Sequence, residues 1–287
     1  MDFKIAGCVI LYNPDVNVIE NVASYIHCLD VLYVVNNQGG DKIAEELSQI
    51  YKGKIIYIMY QDNKGIAYSL NEVLRLAEDN YDFLLTMDQD SRFYLDSMLR
   101  FKNEISSFDW RYTLSIGSSI QDYNFNGPLD ENLSWREVSN MITSGSIVSI
   151  KNAIAIGGYD EKLFIDEVDF EFCYRGRDNG FVLYANDKGI YLLHSLGSPT
   201  FHKCFGRTTK VLNHNRIRKY YIFRNRLVVL FRYAKIIGAR RCWSYYIKAN
   251  IEMVRDIILY EDDKINKLKY VLLGLSDFFF QRLGKRF

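Results

Sequence analysis

Two aspartates separated by one residue, Asp88 and Asp90, directly follow the unbroken apolar run Phe83 to Met87. A run of that kind reads as a buried strand, so both carboxylates emerge at a sheet edge where a ligand would lie. Paired hard oxygen donors suit Mg²⁺ or Mn²⁺, which such sites bind through one or two carboxylates together with phosphate oxygens. A cation held there would neutralise a departing diphosphate. Solvated loops also carry Asp-x-Asp, so the pair takes its meaning from its neighbours.

One strand earlier, Asn63-Lys64-Gly65-Ile66-Ala67 opens a helix, where exposed amides and a glycine let backbone approach a nucleotide. An ordinary capping turn would look the same. Between Phe164 and Arg175, the acids Asp166, Glu167, Asp169 and Glu171 crowd into six residues. A helix starting there would put Asp166 and Asp169 on one face, and Glu167, Glu171 and Arg175 at i, i+4 spacing on another. Part of this acidity suits a helix N-terminus and a Glu171 to Arg175 ion pair. A carboxylate that projects into a cleft can instead take the proton of an attacking hydroxyl. His194, after the apolar run Ile190 to Leu193, is either a structural histidine or a neutral imidazole able to ligate metal.

The elements that must position these groups alternate in type. Ile5 to Leu11 reads as a strand ended by Asn13-Pro14, and Val16, Ile19, Val22, Ala23, Ile26 and Leu29 recur at helical spacing. A strand Val31 to Val35 stops at Asn36-Asn37-Gln38-Gly39-Gly40; Ile43, Leu47 and Ile50 give a helix, and Ile55 to Met59 a third strand. Leu70, Val73, Leu74 and Ala77 mark the helix before Phe83 to Met87. This βαβ alternation predicts an open α/β sheet, whose ligands sit beyond the carboxyl ends of the strands. The loops Tyr12 to Pro14, Asn36 to Gly40, Asp62 to Gly65 and Asp88 to Ser91 should therefore share one edge.

After about Trp110 the pattern becomes mixed, with strand-like Thr113 to Ile120, a polar loop Asp122 to Asn140 and a strand Met141 to Ile150. From about His214 the text is helical and interleaves arginines with Tyr, Phe, Trp and Leu. A boundary near residue 210 divides a catalytic unit, 1–210, from a helical C-terminal extension, 211–287.

Composition narrows the field. The 287 residues carry 36 Lys plus Arg against 35 Asp plus Glu, a balance that gives no global attraction to nucleic acid. Cys8, Cys28, Cys173, Cys204 and Cys242 are scattered without a zinc spacing and read as reduced cytosolic thiols. Met1-Asp2-Phe3-Lys4 runs into a strand without a signal-like segment, and no apolar run approaches the roughly 18 residues of a spanning helix. A cytoplasmic protein is expected.

In this order and spacing, the segments resemble inverting family-two glycosyltransferases of the GT-A fold, particularly bacterial rhamnosyltransferases and their galactofuranosyltransferase relatives. The likeness covers roughly residues 4–226. Its markers are Leu11-Tyr12-Asn13-Pro14, Val35-Asn36-Asn37, Asn63 to Ala67 with Asn71, and Leu84 to Ser91. Further on come Thr143-Ser144-Gly145-Ser146, Phe164 to Arg175, His194 to Gly197, and Tyr220-Tyr221-Ile222-Phe223-Arg224-Asn225. The resemblance implies that Asp88 and Asp90 bind metal and donor diphosphate, that His194 completes the metal shell, and that Asp169 is the catalytic base. It makes Glu171 an acceptor-holding or loop-supporting group. Tyr12, Asn13, Asn36, Asp62, Asn63, Gly65 and Gln89 would line the nucleotide pocket, and Ser144 with Gly145 would border the donor sugar.

Two departures stand out. Asn36-Asn37 replaces the family's common Asp-Asn, removing a carboxylate that would meet base or ribose. Val168 precedes Asp169 where many relatives have Glu, which keeps Asp166 as a second candidate base. The resemblance implies transfer of L-rhamnose from dTDP-rhamnose with Mg²⁺ or Mn²⁺, onto a saccharide or polyprenol-linked acceptor in O-antigen or capsule assembly. A UDP-sugar-dependent galactofuranosyl or hexosyl transferase is the near alternative, and a catalytically inactive carbohydrate-binding scaffold the distant one. A nucleotidyltransferase would be expected to carry a glycine-rich, basic first loop, which Tyr12-Asn13-Pro14-Asp15 is not. The cationic, aromatic C-terminal helices suit a membrane interface, packing on the catalytic unit or a homo-oligomer contact.

Overall fold

The computed structural model describes residues 3–130, 132–194, 200–204 and 207–287. Its first half alternates β1 (Ile5–Tyr12), α1 (Asn17–Ala23), β2 (Val31–Gln38), α2 (Asp41–Ile50), β3 (Ile55–Met59), α3 (Ile66–Ala77) and β4 (Phe83–Asp88). There follow β5 (Ser91–Phe93), α4 (Ser97–Glu104), β6 (Thr113–Gly117), β7 (Ser119–Gln121), β8 (Ser134–Glu137), β9 (Ser146–Ser149) and α5 (Ile150–Ala155). Then come α6 (Val168–Asp178), β10 (Val182–Lys188), β11 (Tyr191–His194) and the hairpin β12 (Thr200–Cys204) with β13 (Arg207–Val211). The chain closes with α7 (Arg216–Ile237), α8 (Ala239–Arg241), a π-helical turn Cys242–Ile247, α9 (Lys248–Leu259) and α10 (Lys264–Phe279).

The main sheet has the order β3-β2-β1-β4-β9-β6-β10-β8. Its first four strands are mutually parallel, β9 runs antiparallel to β4 and β6, and β10 is parallel to β6. The apolar runs are continuous because both faces are covered. Ala6 and Cys8 of β1 enter a core shared with α3, α5 and α6, whereas Ile5, Val9 and Leu11 enter a second core with α1, α2 and α4. Each fully buried Val, Leu or Ile contributes roughly 1.5–3 kcal/mol. Val228, Val229 and Leu230 of α7, with Phe278 of α10, belong to the first of these cores, so the C-terminal helices close the layer over α6.

Several expected boundaries shift. β2 continues through Asn36, Asn37 and Gln38, because the two asparagines are buried with their amides paired. α1 ends at Ala23, where the Ser24 hydroxyl donates to the carbonyl of Asn21, and Ile26–Cys28 form a separate 3₁₀ turn. The run Thr113 to Ile120 breaks at Ser118, whose backbone N–H donates to Gly145, sending β6 and β7 into different sheets. Only Ser146–Ser149 of the expected strand Met141 to Ile150 pairs, which frees Met141, Ile142 and Ser144 to line the cleft. The acidic helix starts at Val168 rather than at Asp166.

Candidate active site

The parallel strands β1 to β4 bring Tyr12, Asn13, the turn at Asp62 and Asp88 to one edge. Asp88 is the last residue of β4, and the chain turns at once into β5. That short strand pairs antiparallel with β11 so that His194 faces Ser91. Asp88, Asp90 and His194 thereby present ligand atoms all within 4.8 Å of one another. Ser91 Oγ lies 2.8 Å from His194 Nδ1 and fixes the ring, and Asp90 Oδ1 is 3.5 Å from the same nitrogen.

The three groups perturb one another electrostatically. Burial, with the neighbouring charge of Asp90, pushes the Asp88 carboxyl up to about 6, against the opposing charges of His194 and Arg218. Burial disfavours charge on His194 too, but its bond to Asp90 and the fields of Asp88 and Asp90 outweigh that, so the imidazole is raised overall. Two carboxylates and an imidazole are a fitting oxygen–nitrogen donor set for a divalent ion.

Asp169, in the first turn of α6, is half-buried. Its carboxyl is pushed up to about 7, first by burial and then by Asp88 and Asp166, while a bond from the Phe170 backbone N–H opposes the rise. Asp169 lines a small hollow together with Thr86 of β4, two residues before Asp88, and Thr143, the neighbour of Ser144. Asp166 precedes the helix with a φ of 61°, and Arg218 Nε stands 3.3 Å from its Oδ1. Its carboxyl is raised by burial, with the Arg218 charge opposing. Glu167, raised to about 8 by burial against the pull of Arg226, pairs with that arginine, while Arg175 pairs with Glu171.

The loop carrying these acids is held in an unusual shape. Phe164, Asp166 and Glu167 all have positive φ, a left-handed conformation that residues with a Cβ rarely adopt. Asn225 of α7 supplies the restraint: its amide donates to the carbonyls of Leu163, Ile165 and Asp166 at 2.9, 2.7 and 3.0 Å. The fully buried Arg224 adds bonds to Lys162 and Leu163 carbonyls. From the other side Gly65, with a φ of 88°, lies so close to Phe164 that a Cβ would come within 2.6 Å of its carbonyl oxygen. The turn at Gly65 and the acidic loop are thus packed against each other, with Ile66 N–H bonded to that same carbonyl.

Other expected site residues take varied positions. Tyr12 and Asn13 are exposed at the edge, and Asn63 caps its own turn by accepting from Gly65 N–H at 2.8 Å. Asp62 is exposed and held low by Lys64 and Lys285. Four side chains are committed within the protein. Asn36 bonds Asp41, Tyr57 and Gly40 and so braces the end of β2. Gln89 clasps the backbone of Tyr12 through both amide atoms, at 2.8 and 3.1 Å. Ser144 Oγ accepts the N–H of Asp88 at 3.0 Å and aims it, while Gly145 allows the tight approach to Ser118. Glu171 is 1% exposed, and its carboxylate accepts from Arg175 and Tyr233.

Sequence reasoning missed the work of Arg218, Arg224 and Asn225. The marker Tyr220 to Asn225 contains Arg224 and Asn225 but not Arg218, and the partners of all three lie 52 to 61 residues away in the acidic loop. The Ser195-Leu196-Gly197 part of another marker lies outside the described residues.

A sheet of this order, with an acidic pair and an imidazole at the carboxyl edge, defines the class: a glycosyltransferase with the GT-A fold. Among curated proteins, the chain is similar to the dTDP-rhamnosyl transferase RfbF of Shigella flexneri, 26% identical over 248 residues that cover 80% of this chain and 81% of that one. Among solved structures, S. aureus TarS matches 96% of the chain at 13% identity with a TM-score of 0.60, and the chain spans about half, 48%, of that TarS chain. The mannosyltransferase PcManGT from Pyrobaculum calidifontis, solved with GDP-Man and Mn²⁺, matches 96% at 10% identity with a TM-score of 0.57, over 75% of its own length. No protein-family model matches the chain.

Proposed function

We propose that the protein is an inverting rhamnosyltransferase that takes L-rhamnose from dTDP-rhamnose. The meeting of Asp88, Asp90 and His194 beyond one sheet edge, with Asp169 lining a hollow beside Thr86 of the same strand as Asp88, carries this reading, and the likeness to a dTDP-rhamnosyl transferase supports its choice of sugar. Mg²⁺ or Mn²⁺ held by the three ligands would offset the charge gathering on the leaving diphosphate. Asp88 is aimed by Ser144, and His194 is oriented by Ser91. Asp169, kept partly protonated near neutrality by its surroundings, is tuned to accept a proton at working pH. The acceptor oxygen bonds to the anomeric carbon from the face opposite the diphosphate, its proton passes to Asp169, and the C–O bond breaks with its electron pair leaving on dTDP. One displacement inverts the anomeric centre.

Residues 1–210 form the catalytic unit in this proposal, and 211–287 the helical extension. After residue 215, seventeen Lys and Arg stand against six Asp and Glu. No helix among the described residues is long and apolar enough to cross a membrane. Phe231, Trp243, Leu272, Phe279 and Phe280 are nonetheless exposed on these helices. Basic charge beside exposed aromatics fits peripheral contact with an anionic bilayer, at the inner face of the cell membrane, next to a polyprenol-linked acceptor of surface polysaccharide assembly.

Mass-spectrometric detection of donor consumption tests the reading, using purified protein, Mn²⁺ and a panel of dTDP-rhamnose, UDP-galactofuranose, UDP-glucose and UDP-galactose. dTDP-rhamnose should be consumed fastest. Preference for a UDP-sugar would transfer the chain to the galactofuranosyl or hexosyl reading, and consumption of none would leave a sugar-binding scaffold.

A further inference from the structure

The donor groups occupy the carboxyl ends of β1 to β4, yet the same edge continues past β9 to β6 and β10. There the structure forms an open cavity of about 410 Å³. Its walls include Ser118, Ile120, Arg136, Asn140, Phe170 and Asp187. None of these residues belongs to the donor side. The cavity meets the donor side at two points: Ser144, which aims Asp88, and Phe170, which follows Asp169. A small hollow of about 10 Å³ lined by Asp169 shares Met141, Ile142 and Ser146 with it.

The lining has a definite chemistry. Ser118 Oγ is shut within the wall beside Gly145, buried and without a hydrogen-bond partner. Arg136 and Asp187 neutralise each other in an ion pair, so the two charges of the lining cancel. Asn140 is braced from outside by Arg241 and donates to Tyr174 OH at 3.1 Å. Phe170 is held edge-on by Tyr245 at 5.5 Å between ring centroids and offers an apolar platform. An aromatic surface with a few placed hydroxyl and amide groups suits a sugar ring, which has apolar C–H faces and polar edges. A carboxylate or phosphate on the ligand would meet Asp187 and find no unpaired cation among the lining residues.

We propose that this cavity holds the acceptor sugar ring that presents the attacking hydroxyl, and that this ring is uncharged. The inference rests on the transferase reading above. It also gives the C-terminal helices a role in acceptor binding, because Arg241 shapes the acceptor wall through Asn140 and Ser139.

The test measures dTDP-rhamnose consumption, with Mn²⁺, in the presence of p-nitrophenyl hexosides, N-acetylhexosaminides and hexuronides. Neutral glycosides should accelerate consumption and hexuronides should not. Ile120→Trp, which fills the cavity, and Arg136→Ala, which breaks the rim pair, should each raise the acceptor KM about tenfold or more while the donor KM stays put. The proposal is overturned if hexuronides are the better acceptors, if no neutral glycoside accelerates consumption, or if both variants keep the wild-type acceptor KM. Absence of donor consumption even by water would instead strike the transferase reading itself, because that slow reaction needs no acceptor.

Discussion

His194 lies directly opposite Ser91 in the pairing of β11 with β5, and 2.8 Å separates its Nδ1 from the serine hydroxyl. A residue 103 positions away is thus locked beside the acidic pair by three backbone registers of a small sheet. The ring is oriented before any ion arrives, which lowers what the site must reorganise on binding.

Removal of one ligand should therefore weaken metal binding without unfolding the site. His194→Ala and Asp90→Asn should each lower Mn²⁺ affinity about 10- to 100-fold in the presence of dTDP, read by titration calorimetry. Chelation by EDTA should stop turnover and added Mn²⁺ should restore it. Unchanged Mn²⁺ affinity in both variants would remove this triad from the metal site.

Asp169→Asn should cut turnover about 10²- to 10⁴-fold while dTDP still binds. In the wild type, turnover should rise with pH towards about 7, the range in which Asp169 loses its proton. Saturating metal should shift that rise to lower pH, since it offsets the Asp88 charge that helps raise Asp169. Stability runs the other way. A carboxyl raised on folding stabilises the native state below its unfolded pKa, and that contribution is lost as pH climbs through about 7. The asparagine variant should thus exceed wild type in unfolding free energy at pH 8, by on the order of 1–2 kcal/mol, and show no such gain at pH 4. Full turnover by this variant would pass the base role to Asp166.

Asn225 binds three carbonyls of a loop in which Phe164, Asp166 and Glu167 are left-handed. Strain of that kind amounts to about 1–3 kcal/mol per residue and persists only where neighbours enforce it. Asn225→Ala should let the loop relax, so that kcat falls about tenfold or more as Asp169 loses its aim, while donor KM and Mn²⁺ affinity hold. Steady-state kinetics separate these quantities. A fall confined to the melting temperature, with kcat per folded molecule intact, would reduce Asn225 to a purely structural clamp.

Vesicles containing phosphatidylglycerol should pull the protein down in a sedimentation assay, and neutral phosphatidylcholine vesicles should do so far less. Phe279→Ser with Phe280→Ser should reduce that binding about tenfold. Equal recovery with and without vesicles would make the exposed aromatics of α10 a contact for another subunit.

The βαβ half of the fold and the acidic pair were legible from sequence, because both are written locally. An apolar run of five residues ending in Asp88 announces a buried strand and its exit, and the helical spacing of Leu70, Val73, Leu74 and Ala77 announces the layer above it. Glu171 shows the limit. Its spacing to Arg175 forecast the ion pair, but only the approach of Tyr233, 62 residues later, shows that its carboxylate is fully engaged. Asn36 and Gln89 looked equally suited to a nucleotide, since an amide bonds a ribose or a backbone with the same atoms.

Sequence alone thus determined which chemical groups the chain owns and on which strand ends they emerge, since side-chain periodicity is a short-range property. Tertiary structure decided which groups remain available to a ligand. His194 joined Asp88 and Asp90 through strand pairing, Asn225 bent the acidic loop from a distant helix, and the acceptor cavity arose between strands far apart in the chain. Each outcome depends on the partner a polar atom meets after folding, which no local pattern records.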